Sequence, residues 1–92
     1  MITAIVLISA EPGTARGIAE KLLEIDAVTE AYSVAGEYDL VAIVRVREHE
    51  MLSDVVSEKI ARLPGIIATQ TLIAFRAYSR RDLGLLWDIG VE

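Results

Sequence analysis

Cysteine is absent from this chain, histidine and tryptophan occur once each, and aromatic residues make up only 5% of it. Without cysteine there is no disulfide and no thiolate zinc site, which fits a reducing cytoplasm. One histidine, His49, excludes a histidine-rich metal site, and no serine has a histidine spaced to form a Ser-His-Asp triad. Neither a metal nor a cofactor is expected. Basic residues are also scarce: nine Lys and Arg against fourteen Asp and Glu give a net charge of −5. A nucleic-acid backbone binder needs a basic face, so direct DNA binding is not expected. Long apolar runs are missing too. The longest near the start is Ala4 to Ile8, against the roughly 20 residues of a membrane span. No Lys or Arg precedes Arg16, so the opening "MITAIVLISAEPG" reads as a buried strand rather than a signal peptide. "EPGTARG" lacks the lysine and spacing of a phosphate loop. "AIVLIS" and "LVAIVRV" carry no aromatic on which a base would stack.

What is present is aliphatic. Hydrophobic residues are 53% of 92, and the mean hydropathy is +0.44. That length makes one domain. A chain so short buries only roughly 60–65% of its unfolded surface. So apolar a composition then implies surface buried against further copies.

The periodicity predicts strand, helix, strand, strand, helix, strand. Ile2 to Ser9 is apolar on both sides, as in a central strand. Pro12 and Gly13 break it, and Thr14 is placed to cap a helix whose stripe is Ala15, Ile18, Leu22 and Ile25, with Ala19 and Leu23. Gly17 within that helix hints at close packing. Ala27 to Ala35 alternates as an edge strand, with Val28, Glu30, Tyr32 and Val34 on one side. Gly36 to Tyr38 forms a hairpin turn, and Leu40 to Arg47 is again apolar on both sides. Glu48 to Leu63 is the second helix, ended by Pro64 and Gly65. Ile66 to Arg76 is the last strand, with Thr69 and Thr71 on one side and Ala68, Gln70 and Leu72 on the other.

Right-handed crossovers turn this order into an α+β, ferredoxin-like βαββαβ sandwich. It has a four-stranded antiparallel sheet with both helices on one face. The first and third strands lie centrally, and nothing is left to cover their second face. Another copy packed sheet to sheet, in a dimeric α+β barrel, is the expected cover. The core unit spans residues 1–77. Residues 78–92 form an apolar tail in which Asp82 is suited to cap a short helix carrying Leu83, Leu86 and Trp87, docked on the assembly.

Few residues offer chemistry. His49 stands among glutamates at a helix start, an exposed position or a general base. Glu37 and Asp39 flank a hairpin tip, as turn residues or an acid–base pair. Thr69 and Thr71 are either ordinary strand residues or two hydroxyls aimed at a polar ligand.

"AVTEAYSVAGEYDLVAIVRV", a helix, and then "LPGIIATQTLIAF" together resemble the C-terminal effector domain, or RAM domain, of the Lrp/AsnC feast/famine transcription regulators. The pattern is a Gly-x-x-Asp turn (Gly36 to Asp39), a Leu-Pro-Gly-Ile (Leu63 to Ile66) and a Thr-x-Thr (Thr69 to Thr71), in order over residues 1 to 76. The resemblance implies a cytoplasmic homo-oligomer: dimers closed through their sheets, assembled into rings, with an amino-acid effector bound between dimers. It implies a ligand site drawn from Gly36, Tyr38, Asp39, Thr69 and Thr71. Full-length members begin with a DNA-reading helix-turn-helix, and this chain begins at the effector domain. It is therefore similar to stand-alone RAM domains, with a full-length Lrp/AsnC regulator as a candidate partner. The function expected is a non-enzymatic, amino-acid-binding module in transcription regulation. The rivals are a small dimeric α+β barrel enzyme, monooxygenase- or isomerase-like, and an assembly protein with a vestigial pocket.

Overall fold

A computed structural model describes residues 1–78 and residue 80. The elements run β1 (Ile2–Ala10), α1 (Ala15–Leu22), β2 (Val28–Ser33), β3 (Leu40–Val46), α2 (His49–Ser53) and β4 (Ile66–Ile73). Between α2 and β4 the helix continues as a π-helical segment, Asp54–Ile60. The sheet order is β2-β3-β1-β4 with every neighbouring pair antiparallel. This is the ferredoxin-like α+β fold, with β1 and β3 in the centre. The expected tail helix from Asp82 lies outside the described residues.

The register shows which side chains share a face, because directly paired residues of an antiparallel ladder point the same way. Ala4, Val6 and Ile8 of β1 pair with Val44, Ala42 and Leu40 of β3. All six have no exposed surface. They form the core with Ile18 and Leu22 of α1 and with Leu52, Val55 and Ile60. The alternate pairs, Ile5 with Ile43 and Leu7 with Val41, lie on the opposite, open face. They are half-buried.

Four local details depart from the sequence pattern. A shift in register between Val28 and Glu30 sends Val28 into the core, while Glu30 and Tyr32 pair with Ile43 and Val41 on the open face. A bulge adds one residue and reverses the alternation, so Val28 and Tyr32 do not share a side. Leu23, assigned to the inner stripe of α1, is 56% exposed at the helix end. Thr14 makes no side-chain cap to α1; its hydroxyl donates to the Glu11 carbonyl at 2.6 Å, closing the turn instead. And Gly17 has nothing within 4 Å of where a Cβ would stand, so close packing does not account for it.

Gly65 is the glycine that packing does require. It has φ +96°, and an added Cβ would lie 3.0 Å from Thr14 Cβ and Oγ1. Its carbonyl accepts from the Glu11 N–H at 2.8 Å. The two Pro-Gly turns thereby lock together at one end of the sheet.

Two alanine substitutions are expected to move in opposite directions. Gly17→Ala should stabilise by about 0.5–1 kcal/mol through helix propensity. Gly65→Ala should destabilise by about 1–3 kcal/mol through strain and the Thr14 contact. Urea midpoints at unchanged m-value measure both.

Candidate ligand site

The hairpin between β2 and β3 is built around Asp39. Its N–H donates to the Ile8 carbonyl at 2.9 Å, and its carbonyl accepts from the Val34 N–H at 3.0 Å. Its carboxylate Oδ2 accepts from the Ala10 N–H at 2.8 Å. That N–H sits where the β1–β4 register shifts, between Ser9 and Ala10. Asp39 therefore ties the hairpin to the end of β1. The residue is exposed, and a carboxylate has acceptor capacity beyond one bond. Gly36 turns the loop with φ +128°, leaving exposed backbone beside Asp39.

Tyr38 reaches across the sheet end. Its hydroxyl donates to Gln70 Oε1 of β4 at 2.5 Å. Tyr38 is half-buried and Gln70 is exposed. Gln70 pairs with Leu7, so it lies on the open face. With Oε1 held by the phenol, the amide nitrogen of Gln70 is left as a donor.

Thr69 and Thr71 pair with Ile8 and Val6, which places them on the helix side of the edge strand, half-buried. Within one chain, the hairpin and Thr69 thus gather at the same end of the sheet, but the threonines stand on the other face from Gln70. Among the described residues no hydrogen bond joins the threonines to Asp39, and the link between hairpin and β4 is Tyr38 to Gln70. Sequence reasoning put Gln70 on the side of β4 opposite the threonines and gave it no role. The available signal was its polarity at a position flanked, on its own face, by Ala68 and Leu72.

Glu37 is exposed in the loop. His49 is the exposed first residue of α2. It follows the Val46 end of β3, which pairs with Ile2, whereas the hairpin precedes the Leu40 end, which pairs with Ile8. The histidine and the hairpin are therefore at opposite ends of the sheet. Among the described residues one titration is displaced: Tyr32 lies above its ordinary 10.0 because Glu30 accepts its hydrogen bond and adds negative charge beside it. Both residues belong to the open face of β2, where Tyr32 pairs with Val41 and Glu30 with Ile43.

Residues 3–83 match the family model of the Lrp/AsnC ligand-binding domain. The chain belongs to the Lrp/AsnC family. It is 36% identical over 76 residues to the HTH-type transcriptional regulator PF0250 of Pyrococcus furiosus, aligning 79% of this chain with 51% of that protein. The chain thus spans about half the length of the curated relatives it matches. The solved structure of TTHA0845 from Thermus thermophilus is 49% identical, with a TM-score of 0.81 over 87% of this chain and 100% of that one. The feast or famine regulatory protein Rv3291c from M. tuberculosis, solved in complex with L-methionine, is 30% identical. Its TM-score is 0.71 over 88% of this chain and 55% of that one. The Lrp/AsnC assignment agrees with the Gly36-to-Asp39, Leu63-to-Ile66 and Thr69-to-Thr71 pattern.

The Asp39 frame should be measurable with no ligand present. Asp39→Asn should cost about 1–3 kcal/mol, since a charged acceptor of a backbone N–H is lost. Tyr38→Phe, which removes a neutral partner at a solvated site, should cost about 0.5–1.5 kcal/mol. Thermal unfolding of the two variants without added amino acids checks the order.

Proposed function

We propose that this chain is a non-catalytic, amino-acid-binding regulatory module that works in the cytoplasm as an assembly of copies. Membership of the Lrp/AsnC ligand-binding family supports a role in regulation. The L-methionine complex of a 30% identical relative supports an amino acid as the ligand class. The observation that carries the site is the fixed polar frame at one sheet end. Asp39 is held by the Ala10 N–H, and Tyr38 holds Gln70. A zwitterion needs acceptors for its ammonium and donors for its carboxylate. Asp39 supplies the acceptor. The loop backbone at Gly36, the Gln70 amide and the hydroxyls of Thr69 and Thr71 supply donors.

The threonines and Gln70 stand on opposite faces of one edge strand, so one protomer does not present all of them to one small molecule. In this reading the site is completed between subunits, with the hairpin of one dimer facing β4 of its neighbour. The sheet-to-sheet dimer is the unit, a ring of dimers is the working form, and a domain boundary falls near residue 77.

The described residues form a single βαββαβ unit without a helix-turn-helix, and the chain carries a net charge of −5. DNA reading then belongs to residues other than these, and a full-length Lrp/AsnC relative is the partner we favour. The module would report amino-acid supply to such a partner through shared subunits.

Calorimetry against the twenty common amino acids tests the reading. At least one should bind, and Asp39→Ala should weaken it by about tenfold to a hundredfold, given roughly 1.5–3 kcal/mol for a charged hydrogen bond. Thr71→Val should cost less, and His49→Ala should leave affinity unchanged. If none of the twenty binds, the pocket is vestigial. If Asp39→Ala retains full affinity, the site lies elsewhere.

A further inference from the structure

A depression lies on the open face, at the end of the sheet where Ile2 pairs with Val46, away from the hairpin. It encloses about 390 Å³, and Thr3, Ile5, Ile43, Arg45 and Phe75 are among its lining. Its floor is apolar: Ile5 and Ile43 are directly opposed across β1 and β3, and both are half-buried. Arg45 donates to Thr29 Oγ1 at 3.0 Å, which holds its guanidinium beside that floor.

Phe75, the one phenylalanine of the chain, stands at the rim of the depression and does not cover the floor. It is 98% exposed, whereas a ring lying on Ile5 and Ile43 would be shielded. The residue before it is tied down: the Ala74 N–H donates to the Thr3 carbonyl at 2.9 Å. The sheet therefore presents the ring on an ordered backbone. A large aromatic held in water in this way marks a contact surface.

A two-fold contact is made by one patch on itself, so residue i of one copy meets residue j of the other, and j meets i. Such a patch must carry both a knob and a hole. This one does, with Phe75 as the knob and the floor of Ile5 and Ile43 as the hole. Charge meets the same requirement. The lining holds Arg45 and Arg76 and also Glu30, so two copies of the patch bring opposite signs together.

Area points the same way. A phenylalanine that becomes buried removes about 150–250 Å² from water. Two rings exchanged between two copies then supply about 300–500 Å² of the roughly 1,200–2,000 Å² of a stable interface. The rest of the face continues from the depression through Leu7, Val41 and Leu72.

We propose that Phe75 anchors the second copy on the open face: the ring of each protomer enters the depression of the other and packs on Ile5 and Ile43 beside the Arg45 guanidinium. The inference rests on the reading that a second copy covers this face, and it names the residue that fixes how that copy sits. Burial of flat aliphatic surface is non-directional. A knob in a hole sets the offset of one sheet on the other, with the two-fold axis between Phe75 and Ile43. A guanidinium beside the ring adds cation–π attraction.

The absence of cysteine makes a direct test available. Phe75→Cys chains are mixed with Ile43→Cys chains and, in parallel, with Ser9→Cys chains, whose thiol lies on the same face at the other end of the sheet. Both mixtures carry the same loss of the ring, so their comparison is unaffected by it. After subunit exchange, the Phe75–Ile43 mixture should form the disulfide between unlike chains at least about tenfold faster, by effective concentration. Phe75→Ala should keep the circular dichroism of the wild type, since the residue is almost wholly exposed in its own protomer. In light scattering on dilution it should dissociate at concentrations at least about tenfold higher than the wild type, as for an interface hot spot. Equal oxidation of the two mixtures, or a Phe75→Ala chain that associates like the wild type, would overturn the anchor and leave the sheet-to-sheet copy standing. A wild-type chain that is monomeric at micromolar concentration would overturn both.

Discussion

The fold turns on the two central strands, which are apolar on both faces while the chain has helices for one. Ala4, Val6 and Ile8 with Leu40, Ala42 and Val44 take the helix side and are fully buried. Ile5, Leu7, Val41 and Ile43 take the other. Fully burying a side chain of this size is worth roughly 1.5–3 kcal/mol, and these four are already half-buried, so about half of that remains for each. Four such residues, with Leu72 at 45% exposure beside them, represent a sum that is a sizeable fraction of the stability of a small domain. We propose that a second copy supplies that burial. A domain that stands on such a contact couples its fold to its assembly, so whatever biases the contact biases the function.

The polar residues are arranged around this demand. The hairpin is fixed from inside the sheet: Asp39 holds the N–H of Ala10 where the ladder shifts, and Tyr38 holds Gln70 across β1. Such a loop is ordered before any ligand arrives, which lowers the entropy cost of binding. In the reading we propose, Asp39 would have two duties, one toward the backbone of β1 and one toward a ligand ammonium. A ligand that draws on the same carboxylate would then act on the hairpin, and through it on the end of the sheet. That is a physical route from an amino acid to subunit packing in an Lrp/AsnC effector domain.

Much of the architecture was legible in the residues. The unbroken aliphatic runs of β1 and β3 placed them in the centre, and Pro12-Gly13 and Pro64-Gly65 marked the element ends. The resemblance carried by Gly36 to Asp39, Leu63 to Ile66 and Thr69 to Thr71 led to the right family. The bulge at Val28 and Glu30 was not legible, since alternation carries no mark of an added residue. Nor was the change to π-helical winding at Asp54, where the apolar stripe reads the same. Thr14 looked like a cap by composition, but its hydroxyl is taken by Glu11. Tyr38 and Gln70 are 32 residues apart in sequence and meet across an intervening strand, a pairing that only the register reveals.

The central claim is that the open face of β1 and β3 is covered by a second copy, and the mass of the particle in solution tests it most directly. Multi-angle light scattering on the intact chain at micromolar concentration should give an even multiple of the 10.1 kDa protomer. A stable, folded monomer of that mass would contradict the account.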